Sequence, residues 1–197
     1  MTLIAGLVGY LLGSLPTAAP LGRIWGVRLR KDGSQNPGAN NALRLGGPVL
    51  ALTVLLVEVA KGLAAVRLGF GLDGELGAVA GAVGAVAGNV HSFWYGFRGG
   101  KGLGISAGVL LGVAPLLLLP TIGVLLLVVL PTKSSGTATL GAIVALNVAA
   151  VAWWLAEWST GWGIEAGPLL VVLSVGMTLV LWPRHHADLA VSEPLPQ

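Results

Sequence analysis

Cysteine is absent from the 197 residues, which excludes disulfides, thiolate metal centres and a cysteinyl acyl-enzyme. Charge is scarce as well: Asp, Glu, Lys and Arg make up 10% of the chain, against about 25% in soluble domains. With a mean hydropathy of +0.86, the chain cannot cover a water-facing surface and reads as a membrane protein. No Gly-x-Ser-x-Gly elbow occurs, and none of His91, His185 and His186 is followed by Asp five residues on. The His-x-x-x-His and Glu-x-x-His metal spacings are missing too. No basic segment precedes the first apolar run, so a cleavable signal peptide is not expected. An enzyme made from this chain must therefore rely on positioning and charge stabilisation more than on an activated side-chain nucleophile.

What the chain does have is hydrocarbon in long runs, at roughly 2–24, 48–69, 76–92, 103–131, 138–156 and 167–183. A helix needs ~20 apolar residues to span a bilayer, and membrane strands would alternate in polarity instead. No alternation is present, so the runs predict helices. The run 103–131 is long for one crossing and short for two. Charge decides between them. Arg28, Arg30, Lys31 and Arg44 against the single acid Asp32 make the 25–47 segment cytoplasmic by the positive-inside rule. Two crossings, broken near Pro115 to Pro120, put Lys133 and Arg184 inside and Glu157 and Glu165 outside; one crossing inverts all four. The expectation is an all-α polytopic membrane protein: one domain over residues 1–197, seven transmembrane helices, N-terminus out and C-terminus in.

Within the runs, Gly77, Gly81, Gly84 and Gly88 fall along one helix face, a stripe that lets backbones approach closely in lipid. Trp153, Trp154, Trp158 and Trp162 surround the expected outer boundary of the sixth span, as an interfacial belt should. Glu58 and Lys61 lie at i, i+3 inside the second span. Buried charges in lipid brace one another or mark a site, and mutual pairing is the simpler expectation.

Three polar islands interrupt the hydrocarbon, at 33–41, 99–102 and 184–186, and parity puts all of them on one membrane face. Ser34, Asn36, Gly38 and Asn41, with Arg44 beyond them, can form a glycine-bent concavity with neutral donors and a two-pronged cation. An ordinary cytoplasmic turn would carry the same residues. Gly99, Gly100, Lys101 and Gly102 open the fourth helix, where free N–H groups and a lysine suit an anion, although this is not a Walker loop. Anionic headgroups, and phosphates above all, are the chemistry these islands share.

The ordered set Tyr10–Thr17, Gly33-Ser-x-Asn-x-Gly-Ala-x-Asn41 with Arg44, Glu58-x-x-Lys61-Gly62 and Phe97-Arg-Gly-Gly-Lys-Gly102 resembles the bacterial acyl-phosphate:glycerol-3-phosphate acyltransferase family. The resemblance covers the chain nearly end to end. It implies transfer of a fatty acyl group from acyl phosphate to glycerol-3-phosphate, yielding 1-acyl-glycerol-3-phosphate and phosphate for phospholipid synthesis. Carried over by motif, Ser34, Arg44, Lys101 and His185 would be catalytic. Asn36, Gly38, Asn41, Gly99, Gly100, Gly102 and Asp188 would bind substrate. No metal, cofactor or nucleic acid is implied. The partners would be the two phosphates and the bilayer of a bacterial inner membrane, with a monomer facing its site to the cytoplasm.

Departures from the family pattern are specific. Glu58 stands where Asp is usual, Asn89 where His is usual, Asn40 where Thr is usual, and Asp188 where Asn is usual. Ser134, Ser135, Thr137 and Thr139 are loose counterparts of a serine-rich loop after the fifth helix. The competing expectation is a divergent, catalytically impaired member that binds an anionic lipid or glycerol phosphate. A small transporter fits less well, because repeat halves and discontinuous helices are not expected from this sequence.

Overall fold

A computed structural model describes the backbone of residues 1–191 and the side chains as far as His186. Among the described residues the chain is all helical: α1 (Thr2–Ser14), α2 (Ala18–Ile24), α3 (Ala39–Val90), α4 (Leu103–Val113), α5 (Pro115–Thr132), α6 (Ser135–Ala156) and α7 (Pro168–Val191), with a short 3₁₀ turn at Phe93–Tyr95. Five stretches are long and apolar enough to cross a bilayer, Leu103–Val113 being apolar but shorter.

The 52 residues of α3 would extend ~78 Å at 1.5 Å each, more than twice a ~30 Å hydrocarbon core. The chain avoids this by bending where glycine permits it. Gly47 (φ 79°) and Gly74 (φ 57°) adopt left-handed geometry, and Asp73 leaves the helical region beside Gly74. The second bend folds 75–90 back against 48–72, with the Gly69 and Gly77 backbones in close approach. The 103–131 run breaks at Ala114, with Pro115 opening α5, close to where the prolines predict it.

The first apolar run corrects an expectation. It is broken at Leu15–Thr17, because Pro16 has no N–H to give and forces Leu15 out of the helical region (φ −53°, ψ 130°). The carbonyls this frees are taken by distant side chains: Ser92 Oγ donates to Ser14 O at 2.7 Å, and Lys61 Nζ donates to Leu15 O at 3.0 Å. A discontinuous helix, not expected from hydropathy, thus sits beside the polar islands.

The turns sort to two ends. At one, Thr2 Oγ1 donates to Asp73, Glu165 N–H donates to Glu75, and Ile164 N–H donates to Val113 O beside the α4–α5 break. Trp153 and Trp158 pack edge to face there, their centroids 5.0 Å apart. The three polar islands meet at the other end. The glycine stripe packs as expected: a side chain on Gly84 would fall on the Gly6 carbonyl of α1, and one on Gly88 on the Tyr10 carbonyl. Gly88→Val should therefore overpack this contact and cost ~1–3 kcal/mol. Gly71→Ala, with nothing within 4 Å of its added methyl, should leave the thermal midpoint in detergent unchanged or slightly raised.

Candidate active site

The first island is a loop held from behind. Gly33 and Gln35 take left-handed conformations (φ 62° and 56°) that reverse the chain twice within three residues. Asn41, 1% exposed, then pins it: its Oδ1 accepts from Ser34 N at 3.0 Å, and its Nδ2 donates to Leu29 O at 2.9 Å and Asp32 O at 3.1 Å. Asn41 is thereby a brace, not a cavity-lining ligand. Gln35 N and Gly38 N bond within the loop to Asp32 O and Asn36 O. These N–H groups do not form the anion nest that the glycines suggest, so recognition falls to side chains and helix ends.

The glycine-lysine loop is held in the same way. Gly99 N donates to Val90 O and Gly100 N to Asn89 O, both at 2.9 Å. A side chain on Gly99 would collide with the Asn89 carbonyl, so glycine is there for close approach. Gly102, at φ 80°, makes the turn into α4. Fully buried His185 donates from Nε2 to Lys101 O at 2.9 Å, since a carbonyl can only accept. His185 thus sets the height of the lysine backbone from outside the cavity. His185→Ala should lower kcat/KM by ~10-fold through a misplaced Lys101, a loss of about 1.4 kcal/mol. His185→Gln, which can still donate, should recover most of that loss; equal losses in both would rule out this role.

The loops enclose a cavity of about 440 Å³ lined by Ser34, Asn36, Gly38, Asn40, Arg44, Gly100, Lys101 and Gly102, with Val54, Leu55 and Leu103 as an apolar wall. Helices α3 and α4 both begin on it, at Gly38 and Gly102, and no side chain caps either start. Two helix N-termini, each with positive dipole character, and two cations facing one space favour a multiply charged anion. Ser135, at the start of α6, lines the same cavity. A second recess of about 340 Å³ shares Ser34, Asn36 and Lys101 with the first and adds Gly99, Arg30, Arg98 and Arg184. Among the described residues its wall holds four cations and no carboxylate. Arg30 is held by stacking 3.8 Å above the Tyr95 ring and by donating to Arg98 O at 3.0 Å.

Glu58 forms part of the cavity wall but is fully engaged. Its Oε1 accepts from Thr17 Oγ1 at 2.6 Å and Lys61 Nζ at 3.1 Å; its Oε2 accepts from Lys61 Nζ at 3.1 Å and Asn89 Nδ2 at 2.6 Å. Four bonds fill the roughly four lone-pair sites of a carboxylate. The expected Glu58–Lys61 pair is present, and two of the departures from the family pattern prove to be one. A longer acid at 58 and a shorter side chain at 89 here bond each other directly. Because Asn89 O also accepts from Gly100 N, the network ties the break in the first helix to the lysine loop.

Of the site residues expected from sequence, Ser34, Arg44, Lys101, Asn36, Gly38, Gly100 and Gly102 share one cavity, and Gly99 lines the adjoining recess. Asn41 and His185 stand behind them. The Asp188 side chain lies outside the described residues. Arg30, Arg98 and Arg184 were legible only as topogenic charge, and their shared recess could not be foreseen from spacing.

Comparison with known proteins bears on this geometry. The family model described as glycerol-3-phosphate acyltransferase matches residues 3–191. A glycerol-3-phosphate acyltransferase of Synechococcus sp. (strain JA-3-3Ab) is 43% identical over 195 residues, covering 98% of this chain and 92% of its own length. One from Agrobacterium fabrum (strain C58) is 36% identical, over 94% of this chain and 85% of its own. The crystal structure of PlsY (YgiH), an integral membrane glycerol 3-phosphate acyltransferase, in its glycerol 3-phosphate form superposes with a TM-score of 0.78 at 23% identity, covering 96% of this chain and 90% of that one.

Proposed function

The chain belongs to the glycerol-3-phosphate acyltransferase family, and we propose from that premise that its cavity joins an acyl phosphate to glycerol-3-phosphate at the cytoplasmic face of a bacterial inner membrane. It is a membrane acyltransferase of phospholipid synthesis. The seven-crossing reading, N-terminus out and C-terminus in, is supported by the two-ended sorting of turns and by Arg28, Arg30, Lys31 and Arg44 gathering at the islands' end. The cavity's two cations and both helix N-termini come from a single copy, which suits a monomer.

One observation carries the proposal: Arg44, Lys101 and two helix N-termini surround a cavity whose remaining wall is apolar. An acyl phosphate is an anion joined to a hydrocarbon chain, and it needs both surfaces. Glycerol-3-phosphate has no apolar part and suits the adjoining recess of Arg30, Arg98 and Arg184, with Lys101 and Ser34 common to both.

The reaction then needs little from the protein beyond charge and alignment. The primary hydroxyl oxygen attacks the acyl carbon, and the carbon–oxygen bond to the phosphate breaks. The hydroxyl proton passes to the departing phosphate. Glu58 is not available as the base, because its lone pairs are committed to Thr17, Lys61 and Asn89. Arg44 and Lys101 stabilise charge as it moves onto the phosphate oxygens, where fixed donors in a water-poor site act most strongly.

Phosphate release from palmitoyl phosphate by the purified protein, dependent on added glycerol-3-phosphate, is the direct test. Labelled glycerol-3-phosphate should appear in the lipid extract as the monoacyl product. Binding of either phosphate without release would favour the impaired-member reading instead.

A further inference from the structure

We propose that a recess at the end of the bundle away from the reaction cavity binds the alkylammonium headgroup of a zwitterionic phospholipid. The recess encloses about 580 Å³, inside the ~300–1,000 Å³ of small-ligand sites. Trp154, Trp158, Trp162, Glu157 and Glu165 line it, and among the described residues no lysine, arginine or histidine does. Neither carboxylate has an ion pair or a hydrogen bond among the described residues. Helix α6 ends at Ala156, next to Glu157, and the negative end of its dipole adds to their charge. Indole faces are negative as well and attract a cation most strongly where the pair is desolvated. Carboxylates, indole faces and a helix C-terminus thus converge on a single positive charge. Indoles offer a metal ion no lone pair, which narrows the cation to an organic one.

Tryptophans of an interfacial belt ordinarily keep a wet N–H end. Here those ends are spent on the protein. Trp162 Nε1 donates to Leu111 O at 2.8 Å, and Trp153 Nε1 donates to Ser159 O at 3.0 Å. Trp153 in turn holds Trp158 edge to face. The rings are therefore fixed as walls, and so is the backbone that carries them. Buried Thr160 donates from Oγ1 to Ile164 O at 2.6 Å, and Leu116 N donates to Thr160 O at 3.1 Å, which ties the loop to the α4–α5 break. Glu157 takes a left-handed conformation (φ 53°) that is uncommon outside glycine and asparagine, and its side chain lines the recess from that turn. Ser159 Oγ accepts from Gly161 N at 3.1 Å and keeps its proton for a phosphate oxygen. A lipid, more than a dissolved amine, suits the surface that continues from the recess. Val144, Val148, Val151 and Leu155 of α6 are exposed at i, i+4, i+7 and i+11, an apolar strip along which acyl chains can lie.

The test titrates the full-length protein, delipidated in a polyoxyethylene detergent, with dihexanoyl phosphatidylcholine, phosphatidylethanolamine and phosphatidylglycerol, and reads binding by thermophoresis. The choline and ethanolamine lipids should bind about tenfold tighter than the glycerol lipid, whose headgroup carries no cation. Glu157→Gln and Trp158→Leu should each cut that preference about fivefold, the scale of one desolvated cation contact. Trp158→Phe keeps a weaker π face and should fall between Trp158→Leu and wild type. Trp94→Leu, which removes an exposed indole at the islands' end, should leave the preference unchanged. Tetramethylammonium chloride should displace the bound choline lipid, and sodium chloride at the same ionic strength should not. Equal affinity for the three lipids, a full preference in both Glu157→Gln and Trp158→Leu, or displacement by sodium as effective as by tetramethylammonium would overturn the assignment. Tetramethylammonium binding as tightly as the choline lipid would assign the recess to a dissolved amine and overturn the lipid source. Displacement by methyl glucoside but not by tetramethylammonium would mark a sugar site and overturn the headgroup reading.

Discussion

Arg44→Ala and Lys101→Ala should each lower kcat/KM with acyl phosphate and glycerol-3-phosphate by ~10²–10³-fold, or ~2.7–4 kcal/mol, the scale for losing a fixed donor to a developing anion. Both side chains line the cavity where α3 and α4 begin, so the deficit should lie in turnover, with the thermal midpoint little changed. Arg44→Lys separates charge from geometry. It keeps a cation but loses the planar fork that grips two phosphate oxygens, so its rate should fall between wild type and alanine. Activity within threefold of wild type in both alanine variants would remove these residues from the reaction and leave the cavity without its cationic centre.

The convergence behind that prediction was legible because polar residues are so few. In a chain with 10% charge, glycine-rich basic islands stand out, and parity alone places three of them on one face. What the islands do individually was less legible. A loop amide looks the same whether it faces a ligand or holds the loop, and only the three bonds made by Asn41 distinguish the two. The glycines of 99–102 read as a helix start with N–H groups free for an anion, yet Gly99 and Gly100 spend theirs on the end of α3. Long-range pairing was hidden for a different reason. Glu58 and Asn89 are 31 positions apart on opposite sides of a helical hairpin, and no periodicity within one helix reports a contact made by folding it. Hydropathy also averages over Leu15–Thr17, so one proline inside an apolar run broke a helix that the run predicts as continuous.

That hairpin contact makes Lys61→Met the most damaging single change expected for stability. It strips Glu58 of its one cationic partner among the described residues, which bonds both carboxylate oxygens at 3.1 Å, and removes the side-chain donor from the Leu15 carbonyl at the break in the first helix. Glu58 is 9% exposed, and stranding one member of a buried pair costs ~3–5 kcal/mol. For a chain of this size the thermal midpoint should drop on the order of 10 °C. Glu58→Gln combined with Lys61→Met should recover more than half of that loss, since removing both charges leaves no ion to be buried alone while the amide still meets Thr17 or Asn89. The double variant should remain slower than wild type even where it is stable. Its Asn89 contact is weaker, and Asn89 O holds Gly100 and through it the Lys101 loop. Additive losses, with the double variant less stable than either single one, would mean that the two side chains act independently and that the pair does not hold the broken helix against α3.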